Sequence, residues 1–321
     1  DTLSLHDALP IFESNASTLG QGVDLTGWVV YPSTLTSLRL GKTTNTADVS
    51  LTTAALSVAG PVTVYGGNIN LGMGLSSTGA SSGISLYATS NINSTASGLT
   101  VQTAGGNILF NSNVTGAGGS IDLDRMTLTS SGGNITLGGG LNGTDYAVGT
   151  ATSNMPTYVG QSKYKGVFLQ GSTLNAGGGN ISIKGKGWQG ANWNDLVTDY
   201  YAIGVDVVGY TAGTSISTTG SGTITIDGVG GVNYDGTTHS VGINLYTGAT
   251  ANSISTVNGA LTLLGTNGSG TSRLSAGIAV DGGLLNISST TGTIGFTADN
   301  VSLISGTTVS GGGNLVIQPR T

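Results

Sequence analysis

Ser131-Gly132-Gly133-Asn134-Ile135-Thr136-Leu137 is the stretch on which the reading of this chain turns. In an extended strand successive side chains point to opposite faces, so Ile135 and Leu137 share one face and Thr136 takes the other. One face is dry and one is wet. The glycines upstream tolerate backbone angles that other residues resist, which suits a corner leading into the strand. The phrase returns at Gly66 to Leu71, Gly105 to Ile108, Gly118 to Leu123, Gly178 to Ile183, Gly222 to Ile226 and Gly312 to Ile317. Recurrence of one strand unit predicts a stack of similar coils, an all-β β-solenoid.

Working outward, alternating runs follow one another from Val49: Val49-Ser50-Leu51, Leu56-Ser57-Val58, Val62-Thr63-Val64, Ile69-Asn70-Leu71, Ile84-Ser85-Leu86 and onward to Ile135. Their spacing is that of a many-stranded all-β fold, and the likeness among the units favours a solenoid over a sandwich. Beyond Gly138 the repeat lengthens. Gly166-Val167-Phe168-Leu169, Gly204-Val205-Asp206-Val207, Gly242-Ile243-Asn244-Leu245 and Gly277-Ile278-Ala279-Val280 begin 38, 38 and 35 residues apart. Each is followed by a short strand and then by the organising phrase, so about three strands make a coil. The remainder of each period, Gly138 to Tyr164, Lys184 to Ala202, Asp227 to Ser240 and Gly265 to Ala276, falls at one corner and is expected to project from one flank.

The chain has 57 glycines among 321 residues and 7% charged residues, yet 37% are apolar and arranged in short alternating runs, unlike a disordered linker. A net charge of −6 argues against a nucleic-acid partner. Lys163, Lys165, Lys184 and Lys186 form the one basic cluster and read as solvated loop residues. With no cysteine there is neither a disulfide nor a thiolate metal site. No apolar run is long enough to span a bilayer as a helix.

Residues 1–12, DTLSLHDALPIF, match nothing that follows and resemble translated sequencing-adaptor read-through, the alternative being a short cap. Residues 13–48 read as an irregular start or cap, 49–140 as short solenoid coils, and 141–321 as coils with long loops; 13–321 form one continuous domain. The chain is expected to be a piece of a longer one.

Tyr146, Tyr158, Tyr164, Trp188, Trp193, Tyr200, Tyr201 and Tyr234 all fall in the long loops. Rings with polar tips on one flank of a repeat array suit contact with carbohydrate or protein, and they equally suit sealing the loops against the solenoid. Asp122-Leu123-Asp124-Arg125 places two carboxylates on one outward strand face, a spacing reminiscent of sugar-cleaving enzymes; a like-charged pair relieved by Arg125 on a wet surface is the plainer reading. His239 stands in a loop beside Asp235 with no nucleophile motif nearby. Asp227-Gly228 and Asp235-Gly236 could supply oxygen ligands to a cation, but turn chemistry accounts for Asp-Gly pairs. No cofactor, metal or catalytic residue is expected.

The run GGNINL, GGNILF, GGSIDL, GGNITL and GGGNISIKG resembles the repeat region of filamentous-haemagglutinin-like exoproteins, the secreted adhesins of Gram-negative two-partner secretion systems; such repeats also occur in autotransporter passengers. The resemblance covers roughly Val49 to Ile317. It implies a right-handed parallel β-helix, export to the bacterial outer surface, and attachment to host or neighbouring-cell glycans or surface proteins. The expected function is a non-enzymatic adhesin segment, a rigid rod with aromatic loops. The alternatives are a β-helical polysaccharide lyase or glycoside hydrolase, and a pure spacer.

Overall fold

A computed structural model describes residues 11–12, 23–24, 35–52, 55–150, 164–189, 202–233, 239–248, 250–270, 274–303 and 306–320. The described residues form a parallel β-helix with three walls. Wall A runs through Leu38–Leu40, Val62–Gly66, Ile84–Ala88, Ile108–Ser112, Ile135–Gly139, Ile181–Lys186, Ile224–Val229, Leu261–Thr266, Ile294–Ala298 and Leu315–Gln318. Wall B includes Val49–Leu51, Ile69–Leu71, Ile92–Ser94, Ile121–Asp124, Val167–Gln170, Val205–Gly209, His239–Thr247 and Leu274–Asp281. Wall C runs from Leu56–Val58 to Thr307–Gly311. The chain passes from B to C to A and then enters the next coil. Coiling begins before Val49, because Ile11–Phe12 pairs with Arg39–Leu40 on wall A and Val23–Asp24 pairs with Val49–Ser50 on wall B.

The register explains why alternation specifies the fold. Val62, Ile84, Ile108, Ile135, Ile181, Ile224, Leu261 and Ile294 pair coil to coil in one inward file. Val64, Leu86, Phe110, Leu137, Ile183, Ile226, Leu263 and Phe296 make a second, and all are buried. Each such side chain removed from water contributes about 1.5–3 kcal/mol, and slipping by one residue would turn the whole file outward.

The two glycines of the phrase do different jobs. Gly132 has φ +115°, a conformation costly for a side chain, with open space around it. Gly133 needs no unusual angle; a Cβ there would lie 2.1 Å from the Gly106 carbonyl oxygen in the coil before. The same approach repeats at Gly179, Gly222, Gly259 and Gly292, where an added Cβ would lie 1.9–2.3 Å from the oxygen of the corresponding glycine in the coil before. The asparagine that follows ties coils together along the wet edge. The Asn134 amide donates 2.8 Å to Asn107 Oδ1, Asn180 donates 2.9 Å to Asn134 Oδ1, and Thr223 donates 2.8 Å to Asn180 Oδ1.

The long excursions all intervene between a wall A strand and the next wall B strand. At their necks the outgoing and incoming backbones touch. A Cβ on Gly185, Gly228 or Gly265 would lie 2.1 Å from the carbonyl oxygen of Gly204, Gly242 or Gly277 respectively. Glycine on both sides lets the excursion close at its base without displacing the walls.

Candidate functional site

The necks extend the stack beyond the three walls. The Trp188 amide donates 2.9 Å to the Tyr164 carbonyl, the Val232 amide donates 3.0 Å to the Trp188 carbonyl, and Val232–Asn233 pairs in parallel with Ser269–Gly270. These contacts build a short fourth ladder at the A-to-B corner. Tyr164, with φ +76°, is in a conformation rare for a bulky residue; it is buried, and its ring lies 5.2 Å from that of Trp188, tilted by 48°. Tyr164 and Trp188 therefore meet each other at the loop base.

Tyr146 belongs to the first excursion. Its hydroxyl donates 2.9 Å to Asp227 Oδ2, and the Arg320 Nη1 donates 2.8 Å to Asp227 Oδ1. Burial, then the hydrogen bond and charge of Asp227, push the Tyr146 phenol above its ordinary 10.0. The sequence reading placed Asp227 in a turn; it lies inside Ile224–Val229, is buried, and has both carboxylate oxygens occupied by these partners. Tyr158, Trp193, Tyr200, Tyr201, Tyr234, Lys163 and the Asp235-Gly236 pair lie outside the described residues.

A cleft of about 660 Å³ opens at this corner, where short coils give way to long ones. One side is the turn Asn113 to Gly116, the other the segment from Gly140 to Val148, with Lys186 contributed by wall A. The second side is pinned from below: Gly139 and Asp145 exchange backbone hydrogen bonds, Asn111 Nδ2 donates 2.6 Å to the Gly140 carbonyl, and Lys184 Nζ donates 2.9 Å to the Thr144 carbonyl. Asn113 bridges the two sides, accepting from the Gly118 amide at 2.6 Å and donating to the Tyr146 carbonyl at 3.5 Å. The lining includes Leu141, 69% exposed, together with Asn142, Asp145 and the half-buried Tyr146 and Lys186. An apolar contact, an aromatic edge, an amide and one charge of each sign suit a polyhydroxylated ligand.

Three further sequence expectations need correction. Asp122 is fully buried, accepting from Ser120 Oγ at 3.1 Å, while Asp124 is paired with Arg125 at 3.0 Å; the two carboxylates do not share a wet face. Lys165 is 2% exposed and ion-paired with Asp206, so it is no solvated loop residue. His239 opens the strand His239–Thr247, paired with Leu274, and is only partly exposed. The outer side of wall B at Asp122, Phe168 and Asp206 is covered, which alternation alone does not reveal.

Two aromatic contacts escaped the sequence reading. Tyr65 and Tyr87 pair across adjacent coils with stacked rings, 4.9 Å apart and 11° from parallel, and the Arg39 guanidinium lies 5.1 Å from the Tyr65 ring centre. Tyr210 and Tyr246 approach to 5.0 Å. The signal for the first is positional: each tyrosine follows the second inward residue of its strand, one coil apart. Among the described residues no group of three His, Cys, Asp or Glu is placed to hold a metal ion. The chain matches no family model, no curated protein and no solved structure.

Proposed function

We propose that the chain is a non-enzymatic segment of a secreted bacterial surface adhesin, similar to the filamentous-haemagglutinin-like exoproteins, and that it presents a glycan-contacting edge on a rigid β-helical rod. What supports this most is the placement of the excursions: every one leaves at the same corner of an in-register stack, and the cleft between Asn113 and Tyr146 opens there. A stack held by coil-to-coil pairing transmits position over its length. Excursions whose bases line up along one edge are set at coil spacing there, suited to a chain-like ligand. Glycan rather than nucleic acid fits an acidic chain whose cleft rim mixes amide, hydroxyl and aromatic groups.

The test is binding of the labelled full chain to a glycan array and to bacterial or epithelial cells, alongside a Leu141→Ala/Asn142→Ala variant. These two rim residues are exposed, so the variant leaves the walls intact. Loss of the array signal in the variant supports the cleft as the contact, whereas equal binding by both chains removes it. Absence of any glycan or cell binding by the unaltered chain overturns the adhesin reading.

A further inference from the structure

Outside that cleft, Lys165, Asp206 and Asn244 form a dry polar cluster on the outer side of wall B. Phe168, Asp206 and Asn244 stand in one file on three successive coils. Lys165 Nζ is ion-paired with Asp206 Oδ2 and lies 4.2 Å from the Phe168 ring centre. Asn244 Nδ2 donates 2.8 Å to Asp206 Oδ1. The Lys165 and Asp206 side chains are each 3% exposed. Ile203, Val241 and Ala276, which take the position of Lys165 in later coils, join Ala279 in a separate apolar cluster.

We propose that Lys165 and Asp206 condense into a side-chain amide that cross-links successive coils. The ammonium first passes a proton to the carboxylate it touches, giving an amine and an acid. The Nζ lone pair then attacks Cγ, the bond from Cγ to the protonated Oδ2 breaks, and Nζ gives up a proton as water leaves. An ammonium and a carboxylate thus become one amide and one water, with no oxidant or other reactant. The ion pair holds the nucleophile against the carboxyl it attacks. Asn244 is aimed at Oδ1, where negative charge gathers as Nζ adds. Phe168 fills the space beside Nζ that water would otherwise occupy. In a chain without cysteine the bond would act as a disulfide does elsewhere, closing the segment from Lys165 to Asp206 with its long excursion.

Intact mass of the full chain, measured denatured after purification, tests this. The expected mass is one water below that of the sequence, with a branched peptide joining Lys165 to Asp206 in the protease digest. Lys165→Arg keeps the cation and is expected to restore the full mass; Asn244→Ala is expected to lower the cross-linked fraction severalfold. The denatured mass is read whether or not a variant folds. An unaltered chain at its full sequence mass overturns the proposal, and so does a lost water that maps to an unbranched peptide, such as a succinimide at an Asp-Gly pair. Loss of ammonia with Lys165 joined to Asn244 overturns it as well, since Asp206 would then be only the proton carrier.

Discussion

Tyr146 and Asp227, 81 residues apart, are joined by a hydrogen bond of 2.9 Å from phenol to carboxylate, and Arg320 grips the other oxygen of the same carboxylate at 2.8 Å. One side chain in the first long excursion is thereby fastened to a later coil, and that coil to the last described one. The brace fixes one side of the cleft to the wall.

Tyr146→Phe removes the donor and leaves the ring. The expected loss at neutral pH is about 0.5–1.5 kcal/mol, read as a lower urea midpoint. The pH dependence is the sharper reading. The folded phenol holds its proton above the ordinary value of 10.0, for reasons of burial first and Asp227 second. Its contribution to stability is therefore complete below pH 10, and it is lost as pH rises through the raised value, because the unfolded chain gives up its proton first. Unfolding followed from pH 8 upward is expected to show this decline in the unaltered chain and a shallower one in the Phe variant.

Gly133→Ala and Gly178→Ala separate the two demands made on glycine. A Cβ on Gly133 meets the Gly106 carbonyl oxygen at 2.1 Å and its carbon at 2.4 Å, so neighbouring coils must part. The cost is expected to be about 1–3 kcal/mol or more. Gly178, one position earlier in the equivalent phrase, meets nothing within 4 Å and has no left-handed angle. Alanine there should raise stability by roughly 0.4–1 kcal/mol through the unfolded chain. Equal effects at the two sites, in thermal or urea unfolding, would remove close coil stacking as the reason for the second glycine.

Much of this architecture is legible in the sequence because each wall repeats one local rule. Ile135 and Leu137 announce an inward face, and the same alternation in every coil lets like residues stack. The phrase itself does not say which wall it starts. Ile108, Ile135 and Ile181 follow it into wall A, whereas Ile69 and Ile121 follow it into wall B, since both corners demand the same close approach and the same edge amide. Outward residues are where local reading fails. Alternation marks Asp122 and Asp206 as facing away from the core, and Lys165 reads as a loop residue, but the burial of all three depends on what covers wall B, a long-range property. The Tyr164 and Trp188 rings belong to the loops by sequence, and only the stacking of the necks brings them against each other.

Asn252 shows how a buried amide can hold a corner. Its Oδ1 accepts from the Thr214 amide at 2.8 Å, and its Nδ2 donates to the Tyr246 carbonyl at 2.8 Å and the Val207 carbonyl at 3.3 Å, with no exposure. Asn252→Ala strands backbone groups away from water and is expected to cost about 2–4 kcal/mol. Asn258, whose Oδ1 accepts from Thr291 Oγ1 at 2.9 Å on an exposed edge, is the control. Asn258→Ala should stay within about 0.5 kcal/mol, and comparable losses at both positions would show that burial is not what gives the amide its weight.

Lys186 sets the charge preference of the cleft, if glycans are what it receives. Lys186 and Asp145 both line the cleft, and no ion pair joins them. A sulfated or uronic-acid sugar gains from Lys186 and is repelled by Asp145, so each substitution should move acidic and neutral ligands differently. Lys186→Ala is expected to weaken acidic glycans about fivefold, roughly 1 kcal/mol, and to leave neutral ones unchanged. Asp145→Asn should strengthen the acidic ligands by a similar factor, and both effects should shrink as salt is raised. Parallel changes for neutral and acidic glycans would mean that Lys186 acts by supporting the strand Ile181–Lys186 and its partner Ala147–Val148, not by meeting the ligand.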